Sequence, residues 1–102
     1  MKITTPGHLY RLNSFEGSNQ QQLQFIEKEP VSEGSTEFKT INDGTTNEEV
    51  LAVLIDRLEF LGNKIPSRET SIAKTKCEEA LMWLNKRTED RKKRGVEGKA
   101  IL

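Results

Sequence analysis

The chain has 102 residues, no net formal charge and a hydrophobic fraction of 33%, which limits it to one small domain, or a domain with an arm, around a thin core. A domain this small and polar gains from association with copies of itself. No apolar run approaches the ~18–20 residues of a membrane span. Met1 to Pro6 lacks the hydrophobic stretch of a signal peptide, and the single cysteine, Cys77, excludes an internal disulfide framework and suits a reducing cytoplasm. One His and one Cys supply neither Cys/His metal spacing nor a credible triad, and no acidic pair is spaced for a carboxylate site. The expectation is a binding protein, not an enzyme, without a cofactor.

The neutral total hides a split. Residues 1–51 carry four basic and eight acidic side chains, and residues 52–102 carry twelve and eight. Before Asn42-Asp43-Gly44 the signals are those of strands. Leu9 to Phe15 is followed by the turn-rich Glu16-Gly17-Ser18-Asn19; Leu23 to Glu27 runs towards Pro30 and Ser32-Glu33-Gly34-Ser35. Thr36 to Ile41 then places Thr36, Phe38 and Thr40 on one face. Short β-rich runs divided by Gly, Pro, Asn and Ser predict a small antiparallel meander over residues 1–44, one that needs an apolar surface to pack on.

After Gly44 the pattern turns helical. Thr46-Asn47-Glu48-Glu49 has the form of a capping box, and Val50, Leu51, Leu54, Leu58 and Leu61 recur at helical spacing. Gly62 is placed to end this first helix, about 47–62. Asn63 to Pro66 is a short connection and Ser67 an N-cap. No Gly or Pro intervenes until Gly95, so a second helix is predicted over about 67–94. A four-residue link makes the two an antiparallel hairpin over 45–98, with 99–102 as a tail. The fold class expected is therefore α+β, a β meander followed by a long helical hairpin through which the chain oligomerises.

The predicted helices differ in length, so the second projects past the first from about Trp83, by roughly 18 Å. Along it, Ala73, Cys77, Ala80, Leu84, Arg87, Arg91 and Arg94 follow one another at steps of four and three, the spacing of a single seam. Its basic members are all arginine, the side chain suited to planar recognition of phosphate. Basic groups in a last helical turn also complement the macrodipole, so a solvated helix end and an anion-binding seam both remain open on spacing alone. Cys77 reads as a small packing residue. Phe60 is either core or a stacking platform, Tyr10 packs on its sheet or stacks on a base, Trp83 belongs to an interface, and His8 receives no role.

Asp43-Gly44-Thr45-Thr46-Asn47-Glu48-Glu49-Val50-Leu51, Leu54-Ile55-Asp56-Arg57-Leu58, Pro66-Ser67-Arg68-Glu69 and Thr75-Lys76 follow in order. They lead to Glu78-Glu79-Ala80-Leu81-Met82-Trp83-Leu84, Arg87-Thr88, Asp90-Arg91 and Arg94-Gly95-Val96-Glu97-Gly98. This succession, about residues 43–98, resembles the helical-hairpin family of phage cyclic-nucleotide sponges, the anti-CBASS and anti-Thoeris proteins. The preceding β segment is more similar to the anti-Thoeris branch. The resemblance implies a homo-oligomer, commonly a hexamer, that binds cyclic nucleotides between subunits without cleaving them, in the cytoplasm of the infected bacterium. The implied ligands are a cyclic ADP-ribose isomer or cyclic di- and trinucleotides. It implies Phe60 as the stacking aromatic and Arg87 and Arg91 as phosphate-binding residues, with Arg94 or Lys93 nearby. Arg68 and Thr70 of the interhelical loop would reach the pocket from a neighbouring subunit; the family often has Asn where Thr70 stands.

The alternatives are a nucleic-acid-binding accessory protein, against which net neutrality and the acidic first half speak, and a plain protein adaptor that grips a partner through Trp83. No membrane partner is expected.

Overall fold

The computed structural model describes residues 1–95; the predicted end of the hairpin at 98 and the 99–102 tail lie outside the described residues. Two compact units divide at Thr46/Asn47, a β unit and a helical hairpin, giving the α+β class that the patterns predict. The elements are β1 (Lys2–Thr5), β2 (Leu9–Asn13), β3 (Gln20–Gln24), β4 (Glu27–Pro30), β5 (Phe38–Asn42), α1 (Asn47–Lys64) and α2 (Arg68–Lys93).

The β unit contains more strands than the sequence suggests. β1, β2 and β3 form an antiparallel meander in that order, while β4 and β5 pair as a separate hairpin. Lys2–Thr5 joins as an edge strand, with Lys2 opposite Arg11 and Ile3 opposite Tyr10; its β-branched Ile3, Thr4 and Thr5 suit a strand, but the run is too short to stand out in the sequence. The run from Leu23 to Glu27 is broken in two. The cause is a clasp formed by Gly44-Thr45 on the β3–β4 junction. The Thr45 N–H donates to the Gln24 carbonyl at 2.8 Å, and the Ile26 N–H donates to the Thr45 carbonyl at 2.9 Å. Phe25, bridged in parallel to Thr45, donates its own N–H to the His8 carbonyl at 2.7 Å. The Gln24 carbonyl and the Phe25 and Ile26 N–H groups thus find partners outside a regular ladder. Phe25 in turn meets Tyr10 edge to face, with ring centroids 5.9 Å apart, a favoured aromatic geometry. Tyr10 therefore packs within its unit.

In the hairpin, α1 is about 27 Å long and α2 about 39 Å. Glu48 and Glu49 stand in the first turn of α1, and Arg91, Lys92 and Lys93 in the last turn of α2, each on the side that the macrodipole favours. Ser67 caps α2: its hydroxyl accepts the Thr70 N–H at 3.0 Å and donates to Thr70 Oγ1 at 2.8 Å. Gly95, with φ 69°, lies just beyond the helix and donates to the Lys92 carbonyl, the expected glycine stop. Gly62, by contrast, does not end α1, which continues to Lys64. A glycine permits a stop but does not impose one. Pro66 does impose it, by disfavouring helical backbone at Ile65.

Lys74 Nζ lies 3.5 Å from Glu59 Oε1. Antiparallel pairing in that register carries the start of α1 to the level of residue 86, so the overhang begins near Arg87 and measures about 10 Å, shorter than the ~18 Å predicted from helix lengths alone. The face of α2 also differs from the predicted seam. Its protected positions are Thr70, Lys74, Cys77, Leu81, Leu84, Thr88 and Arg91, rotated by about 60° at ~100° per residue. Cys77, Leu84 and Arg91 belong to both lines, whereas Ala73, Ala80, Arg87 and Arg94 are exposed on the flank. No hydrophobic side chain among the described residues is buried; on the hairpin Val53, Leu54, Phe60, Leu61, Ile72, Met82 and Trp83 are all exposed.

A Cβ at Gly44 would lie 2.5 Å from the Gln24 carbonyl oxygen and 2.6 Å from the Phe25 carbonyl carbon, both backbone atoms. Gly44→Ala is therefore expected to destabilise the β unit by about 1–3 kcal/mol, read as a lowered thermal midpoint by circular dichroism. Ser67→Ala removes the α2 cap and is expected to cost about 1 kcal/mol, measurable by denaturant titration, while Ser67→Asn retains the cap.

Candidate ligand-binding site

The last three turns of α2 carry the densest positive charge in the chain. Trp83, Lys86, Arg87, Asp90, Arg91, Lys93 and Arg94 line a concavity of about 600 Å³. Steps of three and four residues place one or two of these side chains on every turn. Five are cationic and one is a carboxylate. Arg91 is 7% exposed, the one buried residue among those described, and it belongs both to the protected line of α2 and to the predicted arginine seam. Arg87 and Arg94 stand one turn to either side of it and are exposed. Trp83 adds an indole that is 63% exposed, apolar enough to hold a planar ring and polar at one edge. Lys86 Nζ pairs with Asp90 Oδ2 at 3.2 Å, and Lys92 Nζ with Glu89 Oε1 at 3.9 Å; both pairs are exposed, so each adds little stability.

This end of the helix presents carbonyl oxygens, not N–H groups. An anion here must be held by side chains, against the field of the helix dipole. Several converging guanidinium groups meet that requirement, because each offers two parallel N–H donors to a phosphate.

The other predicted residues sit at the opposite end of the hairpin. Phe60 is exposed near the end of α1, with Lys64 Nζ 4.7 Å above its ring, a cation–π contact. Arg68 opens α2 and lines a second, shallower concavity of about 450 Å³ with Ser71, Ile72, Thr75 and Lys76. Thr70 is half-buried; its hydroxyl is engaged by Ser67, and its methyl lies 3.8 Å from where a Cβ at Gly62 would be. Thr70 is thus part of the cap and of the interhelical packing.

Arg68 and Arg91 are about 35 Å apart along α2, and the Glu59–Lys74 pair puts Phe60 about 20 Å short of Arg87. One chain brings Arg87, Arg91 and Arg94 together, and it does not bring Phe60, Arg68 or Thr70 to them. Lys86 stands off the predicted arginine line yet lines the concavity, with Asp90 four residues on as its partner. Sequence reasoning missed Lys64 over Phe60, for which four-residue spacing was the clue. Cys77 lies on the inward line of α2, and the described residues hold no cluster of metal-ligating side chains.

Sequence comparison agrees with this architecture. The model of the Acb2/Tad1 hairpin domain matches residues 27–89, from β4 through most of α2. That span includes Phe60, Arg68, Thr70 and Arg87 and ends before Arg91 and Arg94. Thoeris anti-defense 1 of Bacillus phage SBSphiJ7 is 53% identical over 57 residues, 55% of this chain and 40% of that relative. The chain therefore spans less than half the length of the relative it matches. On a match that extends over well more than half of its residues, the chain belongs to the Acb2/Tad1 hairpin family.

Proposed function

We propose that the protein is a phage anti-defence factor that binds and sequesters cyclic nucleotide immune signals without cleaving them, in the cytoplasm of the infected bacterium. The observation that carries this reading is the concavity at the end of α2. Five cationic side chains and an indole surround a space of about 600 Å³, room for a compact ligand with more than one phosphate and a base. The family membership and the anti-defense name of the phage relative point the same way. Arg87 and Arg94 hold phosphate, Arg91 sets the floor, and the aromatic rings hold bases, each stack contributing about 1–3 kcal/mol.

The ~20 Å between Phe60 and Arg87 within one chain leads to a second element of the proposal. The complete site forms between subunits of a homo-oligomer, a hexamer by analogy with the family, in which the loop end of one hairpin meets the cationic end of another. The uncovered row of Leu54, Leu61, Ile72 and Trp83 supports such an assembly, since apolar surface of this extent is stabilised by burial. Arg68 and Lys64 then approach the ligand from the neighbouring chain.

Calorimetry against cyclic ADP-ribose isomers and 3′,3′-linked cyclic di- and trinucleotides is expected to show binding of at least one class, with the ligand recovered intact after denaturation. Arg87→Ala should weaken it by roughly 10–100-fold, the effect of one charge-assisted contact, with no change of subunit number in native mass spectrometry. Tight binding by Arg87→Ala would reject the concavity as the site, and binding of none of the ligands, or their degradation, would reject sequestration. Shared sites make a further prediction. Co-assembled Phe60→Ala and Arg87→Ala chains should regain a quarter of the wild-type sites, because random pairing joins an intact Phe60 to an intact Arg87. Sites built within single chains would regain none.

A further inference from the structure

Asp90 is the one carboxylate among the residues lining the cationic concavity, with Lys86, Arg87 and Arg94 each one turn away on the helix. An acidic residue near the C-terminal end of a helix opposes the macrodipole. Aspartate is among the weaker helix formers. Its partner Lys86 precedes it by four residues, the less favourable order for such a pair, and the pair is exposed, with side-chain exposures of 59% and 53%. Asp90 also stands one turn from both Arg87 and Arg94, where a second negative charge repels phosphate. Its cationic neighbours offset part of these costs, but a carboxylate in the lining still favours a ligand that brings a donor as well as phosphate.

A carboxylate accepts hydrogen bonds and donates none. The 3.2 Å contact with Lys86 uses Oδ2, which anchors the group on one side and leaves Oδ1 directed by that anchor. A ligand that suits this lining carries phosphate for the arginines and a hydroxyl donor for the aspartate. Resting on the sequestration reading above, we propose that Asp90 is a specificity-determining residue that accepts a hydrogen bond from a ribose 2′-hydroxyl. The site thereby selects ribonucleotide rings over their deoxy counterparts and over simple polyphosphates. A site built to bond a hydroxyl discriminates against the analogue that lacks it, because the acceptor is then left facing the ligand without a donor, and the 2′-hydroxyl is the group that distinguishes the two sugar classes.

The test is calorimetry of wild-type, Asp90→Asn and Asp90→Ala chains against two matched pairs: 3′,3′-cyclic di-AMP with its 2′-deoxy analogue, and cyclic ADP-ribose with its 2′-deoxy analogue. Inorganic pyrophosphate is the donor-free probe. For whichever pair binds, the wild type is expected to favour the ribose form about tenfold. Both variants should reduce that ratio below about threefold, and both should bind pyrophosphate more tightly than the wild type, since a like charge has been removed. Their thermal midpoints should not fall. An unchanged ribose-to-deoxyribose ratio in the variants overturns the role of Asp90 while leaving sequestration standing, and a lowered midpoint with an unchanged ratio assigns Asp90 to helix stability. No binding of any of the four nucleotides by the wild-type chain rejects the role of Asp90, and it is the panel in the preceding subsection that decides sequestration itself.

Discussion

α2 is eight residues longer than α1, and the character of the hairpin depends on that inequality. A helix in a two-helix pair can be covered only as far as its partner reaches. Beyond the level of Asn47 the side chains of α2 have no facing helix, and the chain fills these turns with arginine and lysine. Long cationic side chains suit such a place. Their stems cover apolar surface while their heads stay hydrated, and the carbonyl end of the helix offsets part of their mutual repulsion. The result is a concentrated positive site on a chain with no net charge.

The same hairpin is incomplete in a second sense. One contact face on each helix cannot bury the apolar residues that occupy two. Leu51, Ile55 and Leu58 of α1 turn towards α2 and are half-buried, whereas Val53, Leu54, Phe60 and Leu61 are left outside. On α2 the inward line includes Thr70, Lys74 and Thr88, side chains that contribute little to a dry core. Association with further copies, as proposed for the functional state, removes this surface from water at about 25 cal/mol per Å². Ligand capture and assembly then share one interface, and the cations gain a less hydrated setting in which their attraction for phosphate is stronger.

The β unit is held by different means. Its order comes from backbone partners and one aromatic pair, with the Gly44-Thr45 clasp supplying bonds where the strand pattern breaks. Such a unit tolerates side-chain change along its polar strands much better than change at Gly44, where main-chain atoms of Gln24 and Phe25 occupy the space that any side chain would need.

How much could be read without the structure differs from element to element, and the physical reason is range. Residues 46–95 carry their instructions locally: an acidic first turn, a Ser67 cap, Pro66 and Gly95 as stops, and apolar residues at steps of three and four. These determine two helices and an antiparallel hairpin, because each signal acts within one turn of itself. The cluster of Arg87, Arg91 and Arg94 was equally legible, since a helix alone puts them on neighbouring turns. What only the tertiary structure decided involves residues distant in the chain. Lys2–Thr5 becomes a strand through its pairing with β2, Gly44 breaks a strand twenty residues away, and the Glu59–Lys74 register sets where α2 emerges. The ~60° rotation of the contact face, which leaves Ala73 and Ala80 outside and turns Leu81 inward, follows from how two helices fit, a property that neither helix possesses alone.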